Sequence, residues 1–468
     1  MHIEKIQLKH ALHFSNIQLD FDLQKTPVTL ILGDQGSGKT TLLRLSYQAL
    51  TWFSARFRDL RTAGLSMLDQ DILQNRLQSK IDIQVRFPDD LGSLPESAQG
   101  EAAPAQSCSW QLYKTLNSQG IGFAKAETQQ LDAMVNLYQK ARQHDPLLGL
   151  PMVAYYPAER FVNEINLLSK NNQAIFQTAH AYEITAIPFT TFARFFEWFR
   201  EISDIENAQS AKIIDQILDQ ALQQSDDIQA DQLVQQIEKA KAHMHTPSLT
   251  ALREALSIVL PELSQIYLDY QPKLQLMVRY QDHTFSFQQL SSSIRNWIAL
   301  VGDVVRRLCL LNPHSLFPCQ EGTGILLIDE IDHQLDQDMA AVILPRLHQA
   351  FPNLQIIVTG NRPELLEQAQ DFQCLKLENK QLHPIHLNPM QVQYDHFYAE
   401  LPLEMSQNHS EIEKVEDALQ EPEIVNLTAQ SVLQLIQEQL STEQQQELLQ
   451  LLSQDNSQNN SQSLPQSS

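Results

Sequence analysis

Near the start of the chain Ile3, Ile6 and Leu8 stand among polar side chains, a pattern that predicts a half-buried strand over Glu4–Lys9, with a second over Ile17–Leu23. A predominantly apolar strand follows at Val28–Leu32. It leads into a glycine-rich loop, a helix from Lys39 and a further strand at Lys80–Phe87. The Pro-, Ser- and Ala-containing stretch from 88 to 107 breaks the pattern and reads as an exposed connection, after which another strand begins at Cys108. From Pro188 to about Pro261 the periodicity becomes helical, with Phe192, Phe195, Phe196 and Phe199 on one face and Gln-, Asp- and Ala-rich segments later. Strand patterns return at Lys273–Tyr280, Ile325–Ile328 and Leu354–Thr359. The expected fold class is therefore α/β with an inserted helical subdomain.

The same reading gives a domain map. Residues 1–90 form one lobe, 91–262 a partly helical insertion with a core-associated strand near 150–160, and 263–388 a second lobe. Residues 389–452 form an acidic extension, helical from Thr428 to Leu452 with Val432, Leu433, Ile436 and Leu440 on one face. The tail 453–468, nearly all Ser, Gln and Asn, has too little apolar area to offset the entropy of ordering and is expected to be disordered.

Composition narrows the possible functions. The 468 residues are 43% hydrophobic, enough for a sizeable core, but 56 acidic against 33 basic residues give a formal charge of -23. Such a chain repels phosphate backbones as a whole, so contact with DNA or RNA requires a local basic patch. Cys108, Cys309, Cys319 and Cys374 are far apart and form no C-x-x-C pair, which fits a reducing, cytoplasmic setting without a zinc knuckle. With no signal-like segment and no 18-residue apolar run, neither secretion nor membrane contact is expected.

Gly33-Asp34-Gln35-Gly36-Ser37-Gly38-Lys39-Thr40 matches G-x-x-x-x-G-K-[ST] between an apolar strand and a helix. Glycines there let the backbone wrap phosphate oxygens, and the amides and helix N-terminus supply positive potential. Lys39 reaches the β and γ phosphates of ATP, Thr40 holds Mg2+, and Thr41 completes the phosphate-binding set. The plain alternative is a glycine turn with an incidental Gly-Lys-Thr. A second motif weighs against it: Ile325–Ile328 is a short apolar strand ending in Asp329-Glu330, at the strand end where ligands bind in α/β sheets. Asp329 then positions Mg2+ and Glu330 polarises the attacking water, because phosphoryl transfer needs positioning and charge stabilisation. Taken alone, Asp-Glu after a strand could simply cap the next helix. Lys39 and Asp329 lie more than half the chain apart, so something large is inserted between them.

These motifs, with Tyr155-Tyr156-Pro157-Ala158-Glu159-Arg160, Phe287–Asn296, Ile325–Asp336 and Ile356–Pro363, resemble the ABC-type P-loop NTPases that include RecF and the SMC heads. They are closer still to the AAA-family ATPases of bacterial anti-phage defence, such as the Septu ATPase and the overcoming-lysogenisation-defect enzymes. The resemblance implies a head-to-head dimer in which a signature serine, here Ser291, contacts the γ-phosphate held by the opposite subunit. Ser291 also reads simply as a helix cap. Two departures stand out: Ser293 replaces the usual signature glycine, and Asn361 the usual switch histidine. Asn361 can still hydrogen-bond a γ-phosphate or water without carrying charge, so slow or partner-gated turnover is expected. Leu335-Asp336 fits either a dimer-contacting loop or a helix cap, and Tyr156–Arg160 fits a nucleotide-sensing loop.

Arg44, Arg56, Arg58 and Arg61 read either as the local basic patch or as a solvated helix face. The aromatic group Phe192–Phe199 reads as core before base-stacking platform. No nuclease-like acidic or H-x-x-H cluster follows Asn388, so an effector nuclease would act in trans. The leading expectation is an ATP-driven dimerising switch that controls nucleic-acid engagement or a partner nuclease. The alternatives are a DNA-repair or chromosome-maintenance ATPase and, less well matched, a transporter's nucleotide-binding subunit.

Overall fold

The computed structural model describes residues 1–22, 25–94, 106–117, 119–162, 176–182, 192–223 and 246–385. All of them lie in the first of the chain's two units, Met1–Val392. The acidic extension with its expected helix at 428–452, the tail 453–468 and much of the connection 88–107 lie outside the described residues.

Two antiparallel strands, β1 (His2–Ala11) and β2 (Phe14–Asp20), precede β3 (Val28–Leu32) and helix α1 (Lys39–Arg58). Then come β4 (Gln78–Arg86), β5 (Ser107–Leu116), β6 (Gly122–Glu127), α2 (Gln129–His144) and β7 (Met152–Tyr156). The helical part holds α3 (Ala193–Gln223) and α4 (Pro247–Val259), followed by a small sheet of β8 (Leu263–Asp269), β9 (Gln275–Tyr280) and β10 (His283–Ser286). The chain continues with α5 (Ser292–Leu311), β11 (Gly324–Ile328), α6 (Gln337–Ala350), β12 (Leu354–Gly360), β13 (Gln373–Glu378) and β14 (Gln381–Pro384).

The central sheet runs β14-β13-β3-β12-β11-β7, parallel except for the terminal β14. Every residue of β3, β7, β11 and β12 is buried, as expected for strands covered on both faces. α1 packs against β7, β11 and β12 on one side and meets β4 of the second sheet on the other. That second sheet is antiparallel, in the order β2-β1-β4-β5-β6. It turns Ile6, Leu8, Ile81, Ile83, Trp110 and Leu112 inward, and the Trp110 indole donates to the Ala49 carbonyl of α1 at 3.0 Å.

β5 and β6, from the stretch read as insertion, thus extend the same sheet as β1 and β4, with β5 paired to β4 along its whole length. The helical part covers the central sheet through α5, which α3 and α4 pack against. Phe195, Phe196, Trp198 and Phe199 are core residues. A Cβ on Gly302 of α5 would come within 2.2 Å of the Phe195 ring, so that glycine sets the close approach of α3 to α5. Among the described residues no helix is long and apolar enough to cross a membrane.

Candidate functional site

The loop between β3 and α1 is shaped by its glycines. Gly36 and Gly38 have φ of 78° and 113°, a region that side-chain-bearing residues rarely adopt. A Cβ on Gly38 would also strike His13 and Phe14 of the β1–β2 turn, and one on Gly33 would lie 2.6 Å from the Leu377 carbonyl. Gly38 caps α1 in left-handed conformation and, having no side chain, makes no cap bond to the helix's first amides, which suits a helix start that faces an anion.

Lys39 is 5% exposed, and its ammonium donates to the carbonyls of Gly33 at 2.5 Å and Asp34 at 2.8 Å. Burial lowers its pKa, opposed by the nearby carboxylates of Glu330, Asp329, Asp332 and Asp34. The two motifs, distant in sequence, therefore share one electrostatic site. Asp34, Gln35, Gly36 and Thr40 are solvent-facing or nearly so, while Ser37 and Thr41 are half-buried.

At the end of β11, Asp329 is fully buried, and its Oδ1 accepts a hydrogen bond from the Thr359 hydroxyl at 2.6 Å. Its Oδ2 is buried with no partner among the described residues. An unsatisfied buried carboxylate oxygen is costly and marks a site meant for a ligand or ion. The Asp329 oxygen, like the Thr40 hydroxyl of the loop, is of the donor type that a small hard cation prefers, so the chemistry of these residues fits Mg2+.

Glu330 adopts left-handed backbone geometry, φ 44°, which for a non-glycine residue is strained and turns the chain out of the strand. Its amide donates to the same Thr359 hydroxyl at 2.8 Å, while Arg160 grips the carbonyls of Asp329 at 2.6 Å and Glu330 at 2.8 Å. Burial draws the Arg160 pKa down to about 10, against the pull of Asp329, Glu330 and Asp332. Asp332 accepts from the amides of Asn361 and Arg362, both at 2.8 Å, fixing the turn that follows β12. Asn361 itself is exposed.

Ser291 begins α5, and its hydroxyl accepts from the Ile294 amide at 3.3 Å, so the capping reading holds. It opens onto a separate cavity of about 760 Å³ shared with Ser293, Trp297, Gln334 and Asp336, and no residue of Gly33–Thr41 lines that cavity. Ser291 is therefore not brought to its own phosphate loop. Asp336 caps α6 by accepting from Met339 N at 2.8 Å.

The arginine patch does not assemble as read. Arg44 is held by the buried Asp71 at 2.6 Å, and Arg56 pairs with Asp132, bonds the Leu60 carbonyl and lies over Trp52, leaving Arg58 and Arg61 exposed. The acids Asp71 and Asp132 are not i, i+4 neighbours of a solvated face, although Leu60 and Trp52 stand one turn from Arg56; α1 is sandwiched, and Arg44 and Arg56 reach acids of flanking segments.

Thr359, Asp332 and the grip of Arg160 were not assigned these positions from sequence. Thr359 ends the buried strand next to β11, and Asp332 stands three residues past Asp329, so strand-end position and short carboxylate spacing were the available signals.

A family model described as AAA domain matches residues 5–264. The "Retron Ec83 probable ATPase" of Escherichia coli is 26% identical over 419 residues, covering 81% of this chain and 72% of that protein. The "Retron Vc95 probable ATPase" of Vibrio cholerae serotype O1 biovar El Tor is 25% identical over 369 residues, covering 75% and 68%. Similar solved structures include an SMC head bound to the C-winged helix domain of ScpA, with TM-score 0.44, 12% identity and coverage of 84% of this chain and 99% of that one. The recombination mediator RecF of the RecFOR pathway aligns with TM-score 0.36 and 12% identity over 82% and 98%. The resemblance read from the motifs is thus borne out by the family model and the ATPase relatives, while at these TM-scores the P-loop fold rests on the strand order and loop geometry above.

Proposed function

The chain belongs to the AAA domain family, and on that premise we propose that it binds and hydrolyses Mg-ATP at Gly33–Thr41, Asp329 and Glu330 as a switch between monomer and dimer. The observation that carries this reading is the Oδ2 of Asp329, buried and without a partner among the described residues, at the end of the strand whose carboxylates act electrostatically on Lys39.

Phosphate oxygens replace the Gly33 and Asp34 carbonyls as partners of Lys39, and the first amides of α1 receive the β-phosphate. Thr40 and Asp329 would hold Mg2+, which would supply charge neutralisation for the phosphates. Glu330, its backbone fixed by Thr359 and Arg160, orients the attacking water, and Asn361 bonds the water or the γ-phosphate. Because Ser291 lies away from its own phosphate loop, a second copy supplies it in trans, and hydrolysis releases that bridge.

The setting that the sequence resemblance implies is anti-phage defence in the cytoplasm beside a nuclease or other effector, and two of the relatives are named for retrons. A neighbouring gene for an HNH nuclease or a reverse transcriptase would support that setting, whereas a replication or repair neighbourhood would favour a DNA-maintenance ATPase. Light scattering during size exclusion tests the switch. Glu330→Gln with Mg-ATP is expected to run as a dimer, and the added substitution Ser291→Arg to return it to monomer with nucleotide still bound. A Glu330→Gln protein that stays monomeric, or a dimer indifferent to Ser291→Arg, would overturn the composite site.

A further inference from the structure

The antiparallel sheet has one face on α1 and the other, among the described residues, open, and on that face this acidic chain gathers lysines. Cross-strand register sets Asn16, Lys9, Lys80, Tyr113 and Lys125 on a single rung across all five strands. At about 4.8 Å per strand the rung spans roughly 20 Å. Lys9 sits directly opposite Lys80, a like-charge pairing that weakens a sheet and asks for a compensating role. Lys5 lies on the same face beside Gln84.

The face also carries carboxylates: Asp82 holds Lys80 at 2.7 Å, Glu127 holds Lys125 at 2.9 Å, Glu4 accepts from Gln84 at 2.8 Å and pairs with Arg86 at 2.7 Å, and Asp20 is opposite Lys5. Among the described residues neither Lys5 nor Lys9 pairs with a carboxylate. A shallow concavity of about 340 Å³ is lined by Lys5, Gln7, Lys9, Lys80, Gln84 and Gln111. Two rings flank it. Tyr113 lies 5.3 Å from the Lys80 ammonium, and Phe123, on the same face of β6 as Lys125, is 59% exposed on an edge strand.

We propose that this open face binds single-stranded nucleic acid, with Lys5, Lys9 and Lys80 meeting phosphates and Tyr113 and Phe123 stacking unpaired bases. Cations interleaved with the exposed Phe123 ring, the half-buried Tyr113 ring and amide side chains suit a strand whose bases are splayed, whereas a duplex hides its base faces from such a platform. The proposal rests on the control of nucleic-acid engagement expected from the sequence and gives it a surface other than the arginines of α1.

Fluorescence anisotropy with labelled oligo-dT and oligo-rU, across a salt series and without nucleotide, tests it. Lys9→Gln with Lys80→Gln should weaken binding about tenfold and flatten the salt dependence by about 1.4 in log–log slope, two phosphate contacts' worth. Phe123→Ala should weaken binding at least about fivefold with the slope unchanged. Thermal melting of the lysine double variant should match or exceed wild type, since it relieves the Lys9–Lys80 repulsion. The difference between the two oligonucleotides assigns the sugar.

Binding by the variants within twofold of wild type, no binding of either strand by wild type, or duplex binding of equal strength untouched by Phe123→Ala would overturn the proposal. Failure of ATP binding in wild type would sink the phosphate-loop reading and leave this comparison intact.

Discussion

One hydroxyl, that of Thr359, holds both residues of the acidic motif: it donates to Asp329 Oδ1 and accepts from the Glu330 amide. Thr359→Val keeps the shape and removes both bonds, so turnover or Mg2+ affinity should fall about 10- to 100-fold, the usual effect of losing a partner behind a metal ligand. A Mg2+ titration of ATPase rate checks this, and an unchanged curve would show that Asp329 is held by other means. At this scale the sequence was legible where chemistry is local. Gly33–Thr40 is a contiguous string in which each residue type has its reason, and Asp329-Glu330 follows an apolar run. Thr359 and Arg160 were not legible in their roles because each acts on a strand brought beside it only by folding, and the Arg44 and Arg56 patch failed for the same reason, their partners being distant acids.

Among the elements, α5 joins the covering helices to the acidic motif. Its Asp303, Arg306 and Arg307 form a buried ionic cluster with the Tyr156 hydroxyl at the end of β7: Asp303 accepts from both guanidinium Nε groups at 2.8 Å and from Tyr156 at 2.9 Å. Burial alone would raise the Asp303 pKa, but the two guanidiniums outweigh it and hold the carboxyl well below the usual carboxylate range. A carboxyl lowered on folding adds stability that is present above its unfolded pKa, near 4, and lost only as pH falls through the folded value. Between pH 5 and 8 this cluster should therefore contribute no pH dependence to melting.

Asp303→Asn should cost about 3–5 kcal/mol, because it leaves two buried guanidiniums uncompensated, and denaturant unfolding measures it. Gly302→Ala should cost about 1–3 kcal/mol by overpacking against Phe195, with little change in ATP affinity. Element legibility followed burial. β3 and β12, buried throughout and mostly apolar, were read almost to the residue. β6 was missed because its edge position leaves no alternation to read, and β14 because four residues carry too little pattern.

At the scale of the molecule, a phosphate loop and its carboxylates are assembled from strands at opposite ends of the sequence by one parallel sheet, and Ser291 faces elsewhere. The strand–loop–helix motif and the distance between the two motifs made the P-loop architecture readable. The joining of β5 and β6 to the first sheet was not, since pairing partners are a property of the assembled fold. The central claim is catalysis by Lys39, Asp329 and Glu330, and phosphate release from Mg-ATP, measured beside ATP affinity, tests it most directly. Wild type should turn over slowly, Glu330→Gln should lose at least about 100-fold in rate while keeping or tightening ATP binding, and Lys39→Ala should lose binding. Turnover by Glu330→Gln equal to wild type, or ATP binding undiminished in Lys39→Ala, would contradict the account.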